Sequence, residues 1–288
     1  MTSILTLNAG LIRLGLFGVP LFEPAPFIPA RFAGLADALA RVDADIVALQ
    51  EVYRRSHKEK LTEDLAALYP HVALPPRPLW PVIDSGLMIL SKYPTHGFRL
   101  EQFKAGTPEE RWLSYRGWMN GCIDTPDIGT VRLINYHTTA GGLHRDPESA
   151  LQDNRRRDQI DEIVLDAADS PATDVQVLLG DLNAGPPASL DNYRQLAKAG
   201  FVDTFAPSGD RLAEGYVTWD SQQPLNIKGP HSFQKAQRID QIFVRRSDLA
   251  RLSIVESRCV LNEPVVETRR GSVAVSDHYG VLTELDRR

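Results

Sequence analysis

The sequence is poor in cysteine and lacks long apolar runs. Its 288 residues include two cysteines, Cys122 and Cys259, too few for a disulfide framework or a cysteine-rich zinc site. We therefore expect two buried or half-buried thiols. No apolar run approaches the roughly 20 residues that span a bilayer. The first residues also lack the basic and apolar pattern of a signal peptide, so we expect a cytoplasmic protein.

Basic residues are not in excess either. The chain has 32 Lys and Arg against 37 Asp and Glu, a net charge of -5 and a pI near 5.8. Proteins that grip long polyanions usually have a basic stripe and a high pI, so a nucleic acid is the less favoured partner. We interpret the locally basic run Asn154-Arg155-Arg156-Arg157 as the solvated face of a helix.

Short apolar segments of strand length recur along the chain. They predict strands at residues 4–8, 46–50, 86–91, 119–125, 131–137, 175–179, 239–244 and 280–284. Apolar residues at three- and four-residue spacing predict helices at residues 30–42 and 150–168. Shorter helices fit residues 60–68 and 189–199, the second ended by Gly200.

Two of these strands follow each other without a helix. Residues 126–130 alone separate the strand at 119–125 from the strand at 131–137. This excludes a purely parallel βαβ sheet, because parallel neighbours need a long crossover. The pattern favours an α/β protein with two mixed sheets and helices outside, in one domain covering residues 1–288.

Three long segments are interpreted as loops, at residues 10–29, 97–121 and 215–237. Loops of this length in a compact domain are commonly functional. The first is apolar and proline-rich, so it is either a loop packed over the core or a lip that faces lipid or substrate.

Polar side chains stand where predicted strands end. They are Asn8, Glu51, His137, Asp181, Asn183, Asp240 and His278. Taken singly, each of these residues has an ordinary structural explanation. An Asp-x-Asn sequence usually forms a turn, and a lone histidine is usually a core residue whose hydrogen bonds are made within the protein. Together, carboxylates, amides and imidazoles from separate strand ends indicate a metal-assisted phosphoryl hydrolase site.

The acidic and amide residues suit Mg²⁺, which favours oxygen ligands. Glu51 is the natural direct ligand, with Asn8 beside it. If strand geometry persists through Asn183, period two places Asp181 and Asn183 on one face. Asp181 would then accept from the attacking water, while Asn183 donates to a phosphate oxygen.

The two histidines suit proton transfer. His278 is the candidate general base, because an imidazole titrates near neutrality, and Asp240 is its proposed partner. His137 would donate to a phosphate oxygen or to the leaving group.

The ordered motifs resemble the endonuclease/exonuclease/phosphatase superfamily, the fold of pancreatic deoxyribonuclease I. The matching residues are Asn8, Gln50-Glu51, His137, Asp181-x-Asn183, Arg238-Ile239-Asp240 and Ser276-Asp277-His278. This resemblance covers nearly the whole chain and implies a four-layer α/β sandwich. It also implies Mg²⁺-dependent cleavage of phosphate esters, with Mn²⁺ or Ca²⁺ as substitutes and Asp277 as a further metal contact.

Other stretches resemble the neutral sphingomyelinases. They are Phe17-Gly18-Val19-Pro20, residues 85–94, Asp153-Asn154-Arg155-Arg156, Tyr216-Val217-Thr218-Trp219-Asp220 and Arg270-Gly271. The resemblance implies a phospholipase C-type phosphodiesterase that cuts sphingomyelin or a related phospholipid. The apolar segment at residues 10–29 would then make a peripheral membrane contact.

Three aromatic residues are expected to bind substrate: Phe17, Trp118 and Trp219. Two positions depart from the sphingomyelinase pattern, since Thr139 stands where those enzymes usually have a second histidine and Cys122 where they tend to have a basic residue. The alternatives are therefore a nuclease, or a phosphatase acting on a soluble ester such as an inositol phosphate. A non-catalytic binding module is the third reading.

Overall fold

The computed structural model describes residues 1–16, 19–76, 83–140, 149–169, 173–205 and 217–288, with two six-stranded sheets among them. The first sheet has the order β13 (Leu252–Val260), β16 (Gly280–Arg287), β1 (Thr2–Asn8), β4 (Ile46–Gln50), β6 (Met88–Ser91) and β5 (His71–Ala73). The second has the order β11 (Phe201–Asp203), β12 (Asp240–Arg245), β10 (Val175–Asp181), β9 (Gly129–His137), β8 (Gly117–Thr125) and β7 (Thr95–Gln102).

Smaller elements surround the two sheets. Two ribbons pair β2 (Leu14–Leu16) with β3 (Val19–Phe22) and β14 (Val266–Thr268) with β15 (Gly271–Val273). The α-helices are α1 (Ile28–Val42), α2 (Arg55–Asp64), α3 (Pro108–Leu113), α4 (Ala150–Ala168) and α5 (Leu190–Lys198), and a 3₁₀ turn covers Arg246–Ala250. No helix in the described part of the chain is long and apolar enough to cross a membrane.

The inner faces of the two sheets pack against each other. Ile4 and Ala48 of the first sheet share a core cluster with Val177 of the second. Leu5, the neighbour of Ile4, points the other way into a separate cluster, because successive side chains of a strand alternate between faces. Both faces of β1 are thus covered, and every residue of the strand except Ser3 is buried.

Helices cover the two outer faces. Leu35 of α1 and Leu61 of α2 pack over the first sheet. Ile160 of α4 and Leu196 of α5 pack over the second sheet, together with Phe243. The order helix, sheet, sheet, helix confirms the predicted four-layer α/β sandwich.

Strand directions bring the polar strand ends to one edge. β1 runs parallel to β4 with Asn8 opposite Gln50, and β10 runs parallel to β9 with Asp181 opposite His137. The antiparallel strand β12 begins at Asp240, opposite Asp181. The carboxyl ends of the parallel strands β9 and β10 therefore lie next to the first residue of the antiparallel strand β12.

A buried amide pair joins the two sheets beneath this edge. Gln50 Nε2 donates to Asn135 Oδ1 over 2.8 Å, and Asn135 Nδ2 donates to the Leu49 carbonyl over 3.1 Å. Buried amides require partners, so this pair fixes how β4 lies against β9. The two sets of strand ends are thereby held in register across the sandwich.

Several sequence expectations about local structure are wrong. Residues 97–121 are not a loop, since they contain most of β7, all of α3 and the start of β8. The polar sequence of β7 misled the prediction, because edge strands are often polar and charged. Within residues 10–29, β2 and β3 form a ribbon and α1 begins at Ile28. Helix α2 begins at Arg55, five residues before the predicted start at residue 60.

The basic run on α4 is not wholly solvated. Arg156 is fully buried, and its guanidinium donates to Asp153, Ser189 and the Thr139 carbonyl. Helical periodicity turns Arg156 inward while Arg157 stays exposed. The side chain therefore ties α4 to the start of α5 and to the segment that follows β9.

Candidate active site

An open cleft lies where the strand ends converge. Its charged and polar lining includes Glu51, Tyr53, Arg116, His137, Asp181, Asn183, Asp277 and His278. Its apolar lining includes Ile12, Leu14, Phe22, Pro24, Ile83, Trp219 and Ile239. The cleft therefore offers both a polar floor and apolar walls to a ligand.

His278 and Asp240 form a buried pair in this cleft. His278 Nδ1 lies 2.9 Å from Asp240 Oδ2. Burial lowers the pKa of His278, but Asp240 together with Asp181 and Asp277 raises it well above its ordinary value. Because Nδ1 is occupied by Asp240, Nε2 is the ring nitrogen left for a substrate or a water.

Thr218 holds the two members of this pair together. Its hydroxyl accepts from the backbone N–H groups of Ile239 and Asp240, both at 3.0 Å. Its carbonyl accepts from the backbone N–H of Tyr279 over 2.7 Å. Thr218 therefore fixes both Asp240, which begins β12, and Tyr279, which follows His278. The neighbouring Trp219 lines the cleft.

Asp181 and Asn183 lie in the same cleft, but not through continued strand geometry. β10 ends at Asp181, and Asn183 adopts a left-handed conformation with φ of 49°, so that part of the prediction is wrong. The Asn183 N–H donates back to Asp181 Oδ1 over 2.8 Å, which makes a local Asx turn. Asn183 Nδ2 donates to the Thr138 carbonyl over 3.0 Å.

The Asp181 carboxyl is crowded by other acids. Burial and the nearby Asp240 raise its pKa from 3.8 to about 7, while His278 and Asn8 oppose that rise. Asn8 Nδ2 donates to Asp181 Oδ2 over 2.9 Å. Asp181 thus links the end of β1 in the first sheet to the ends of β9 and β10 in the second.

Glu51 stands on a tight turn after β4. Its backbone is left-handed, with φ of 59°, and a Cβ on Gly86 would lie 3.1 Å from the Glu51 Cα. Glycine is therefore required at this close approach. Burial and the negative charge of Asp277 raise the pKa of Glu51. Asp277 itself packs against Gly10, where a Cβ would lie 1.8 Å from its Oδ1.

His137 is buried at the floor of the cleft. Its Nε2 lies 3.5 Å from Asp181 Oδ2 and 3.8 Å from Glu51 Oε1. Burial, with the positive charges of Arg116 and His278, lowers its pKa well below 6.5. His137 is therefore a neutral imidazole, and these contacts are not ion pairs.

The donor set fits a hard divalent cation. Ligand-type atoms of Asp181, Asp240 and His278 lie within 4.8 Å of one another, and Glu51 and Asp277 lie beside them in the cleft lining. Among the described residues, the buried Asp240 Oδ1 has no hydrogen-bond partner. Crowded oxygen donors with raised carboxyl pKa values are the environment that a cation such as Mg²⁺ relieves.

Arg116 is a cleft residue that sequence reasoning missed. Its guanidinium donates to the Thr138 carbonyl over 2.7 Å and lies 3.3 Å from Glu110 Oε1. Burial lowers its pKa, but Tyr53, Glu110 and other acids raise it above its ordinary value. In the sequence, the feature that marks this residue is an arginine directly before Gly117. A Cβ on Gly117 would lie 1.9 Å from the Glu101 carbonyl oxygen, so a larger residue does not fit there.

Arg31 of α1 is a second missed residue. Its buried guanidinium donates to five carbonyls, those of Ala9, Gly10, Ala25, Pro26 and Val275. It therefore holds the segment after β1 against the segment that leads to Asp277. Helical position alone could not reveal this role, because the partners are backbone atoms.

The structure brings together most of the predicted site residues but not all of them. Trp118 is not in the cleft: it packs beside Phe103 in the core under α4, and its indole N–H donates to Asp166 over 2.6 Å. Outward orientation on β8 explains this difference, so the expectation that Trp118 binds substrate is corrected. Phe17 lies outside the described residues.

The architecture and the cleft define a protein of the deoxyribonuclease I-like class. The Endonuclease/Exonuclease/phosphatase family matches residues 5–278, and the chain belongs to that family. The family resemblance inferred from the motifs is therefore confirmed.

Individual proteins show the same similarity. A Drosophila melanogaster protein named "Putative neutral sphingomyelinase" is 26% identical over 98% of this chain, which spans 61% of that relative's length. Sphingomyelinase C from Streptomyces griseocarneus has a TM-score of 0.72 at 20% identity over 98% of each chain. A beta toxin from Staphylococcus aureus with bound magnesium ions has a TM-score of 0.70 at 19% identity, also over 98% of each chain.

Proposed function

We propose that this protein is a Mg²⁺-dependent phosphodiesterase of the phospholipase C type, which hydrolyses sphingomyelin or a related phospholipid to phosphocholine and a neutral lipid. The observation that carries the proposal is the pair His278 and Asp240, 2.9 Å apart beside Asp181. Apolar cleft walls support a lipid substrate, as does the relative with a sphingomyelinase name.

His278 is the proposed general base. Its Nε2 is free of the Asp240 bond and takes the proton of the attacking water. Asp240 stabilises the resulting imidazolium, as a buried carboxylate does for its imidazole partner. Asp181, in the same cluster of ligand-type atoms, accepts from the water and orients it.

Three donors are proposed to stabilise the charge that develops on the phosphoryl oxygens. Arg116 supplies a permanent positive charge. His137 acts as a neutral N–H donor, since its pKa lies well below 6.5, and the Asn183 amide is the third. Positioned donors in a water-poor site stabilise such a transition state strongly.

Glu51 is proposed to hold Mg²⁺, with Asn8 and Asp277 beside it, and Mn²⁺ or Ca²⁺ could substitute. When bound, the ion would neutralise charge on the phosphate oxygens and on the departing alkoxide. Oxygen donors and the structural neighbour with magnesium ions support this assignment.

The direct test measures phosphocholine release from sphingomyelin with Mg²⁺ and with a chelator. We expect turnover that the chelator abolishes. Glu51→Ala should lose metal-dependent turnover, and His278→Ala should lose at least ~10²-fold, the usual effect of removing a general base. His96→Ala is the matched control, because His96 lies exposed on β7.

The same preparations should be tested for plasmid nicking and for phosphate release from inositol phosphates. These arms address the nuclease and phosphatase alternatives. Activity on either substrate with none on sphingomyelin would overturn the lipid assignment. Wild-type turnover by Glu51→Ala would overturn the metal-ligand assignment.

A further inference from the structure

Two segments that line the cleft also expose large apolar side chains. Helix α3 contributes Glu109 and Glu110 to the lining, and on the same helix Trp112 is 69% exposed. The segment at residues 222–236 contributes His231 and Gln234 to the lining. Single exposed apolar residues are common on soluble proteins, but several of them on segments that border one cleft are typical of a contact site.

The segment at residues 222–236 exposes two such groups. Ile227 is 52% exposed and Phe233 is 70% exposed. This segment consists mostly of turns. It therefore lacks the single apolar face with which an amphipathic helix buries its apolar side chains. They are therefore presented at the border of the cleft.

Basic residues accompany these apolar groups. Lys228 and Lys235 are exposed on the segment with Ile227 and Phe233, and Arg111 is exposed next to Trp112. Between Asp220 and Asp240 the chain has no acidic residue. The segment at residues 222–236 is therefore cationic, in contrast with the net charge of -5 for the chain. On α3, the two acids before Arg111, Glu109 and Glu110, line the cleft, while Arg111 is exposed.

We infer that Arg111, Trp112, Ile227, Lys228, Phe233 and Lys235 form a rim that docks the protein onto the surface of an anionic phospholipid bilayer. Aromatic and aliphatic groups enter the interfacial region, while lysine and arginine remain at the level of anionic headgroups. The inference rests on the proposed function, because the rim would deliver a bilayer lipid to the cleft that it borders.

The rim differs from the apolar segment at residues 10–29. That segment contributes Ile12, Leu14 and Phe22 to the inner cleft wall, where they would meet the lipid part of a substrate. The rim lies on other segments and carries charge, so it contacts the membrane rather than the single substrate molecule.

The first test measures sedimentation of the full chain with vesicles of phosphatidylcholine alone and of phosphatidylcholine with about 30% phosphatidylserine. Trp112→Ser with Phe233→Ser should weaken binding to both vesicles by at least about tenfold. The matched control is Leu165→Ser, since Leu165 is 69% exposed on α4, which covers the outer face of the second sheet. It should bind like the parent.

The second test removes charge. Lys228→Gln with Lys235→Gln should lose about fivefold per lysine on the phosphatidylserine vesicles only. Lys198→Gln on α5 is the control, because Lys198 is also exposed. Thermal melting checks that each variant is folded.

Three outcomes overturn the rim: parent-like binding by the Trp112→Ser and Phe233→Ser variant, equal loss in the Leu165→Ser control, or no vesicle binding by the parent. Hydrolysis of a short soluble phosphodiester by the parent is measured in parallel. Vesicle binding without such hydrolysis would support the rim and contradict the proposed function. Hydrolysis of the soluble phosphodiester without vesicle binding would support the proposed function and contradict the rim.

Discussion

At the scale of single residues, the cleft depends on the contact between His278 and Asp240. The imidazole is buried among acids, and its pKa is raised well above the ordinary value despite burial. A base in this position must be neutral to accept a proton. Activity should therefore rise with pH as His278 loses its proton.

Asp240→Asn tests this contact. Removing the negative charge lowers the pKa of His278, so the acid limb of the kcat/KM profile should move to lower pH. The maximal rate should fall by about 10²-fold or more, because the imidazolium loses its stabilising partner. The pH profile at saturating Mg²⁺ measures both effects. A limb that stays in place, or moves to higher pH, contradicts the pairing.

A second residue-scale device is the buried ion pair that supports Glu51. Lys58 Nζ donates to Asp84 Oδ1 over 2.6 Å, and neither side chain is more than 8% exposed. The same oxygen accepts from the Gly86 N–H over 3.1 Å. The Gly86 carbonyl in turn accepts from the N–H of Val52, the residue after Glu51, over 2.9 Å.

Lys58→Met should lower the free energy of unfolding by about 3 kcal/mol, because it leaves the Asp84 charge buried and unpaired. Lys58→Met combined with Asp84→Asn should recover part of that loss. Urea unfolding of the parent, the two single variants and the double variant measures the coupling. A single variant that loses less than about 1 kcal/mol would show that the pair is not structurally important.

At the scale of elements, α3 builds the cleft wall around Arg116. Thr107 caps the helix: its side chain accepts from the Glu110 N–H, and the Glu110 carboxylate accepts from the Thr107 N–H over 2.9 Å. Glu110 Oε1 also accepts from the Thr139 hydroxyl over 2.6 Å. Thr139, the position where the sphingomyelinase pattern has a second histidine, thus joins the segment that follows β9 to this helix.

Thr107→Ala should cost about 1 kcal/mol of stability by removing the cap. Because α3 then frays around Glu110, Arg116 should be held less firmly, and kcat should fall more than KM rises, since Arg116 is proposed to act on the transition state. Steady-state kinetics with a soluble phosphodiester, alongside urea unfolding, measures both. A variant that loses stability with kcat unchanged would separate the cap from the cleft wall.

The elements also show what the sequence can reveal. Strands with both faces covered, such as β4 and β10, are fully buried and rich in apolar residues, and they are predictable. Edge strand β7 is polar, and the sequence does not predict it as a strand because its exposed side chains carry no periodic apolar signal. Polar residues at strand ends were found by position, whereas Arg116 and Arg31 were not, since their roles depend on contacts between distant segments.

At the scale of the whole molecule, the cleft is a cluster of acids that folding forces together. Asp181 has a pKa of about 7 in the folded chain against 3.8 ordinarily. The folded chain therefore binds a proton there that the unfolded chain has lost. The contribution of Asp181 to the free energy of unfolding is therefore fully present below about pH 3.8 and is lost as pH rises through about 7. His278 acts in the same direction, while His137, whose pKa is lowered, opposes it.

Thermal melting in chelator should accordingly show the parent losing stability relative to Asp181→Asn as pH rises from about 4 to about 7. Saturating Mg²⁺ should raise the melting temperature of the parent more at about pH 8 than at about pH 5, because protons and the cation compete for the same carboxylates. Glu51→Gln should show a smaller gain at the higher pH, because Glu51 is the proposed ligand and its pKa is also raised by burial and by Asp277. An equal gain at both pH values in the parent, or a full gain in the variant, would contradict a cation held by this acid cluster. The measurement needs no substrate, so it tests the metal site separately from the identity of the phosphate ester.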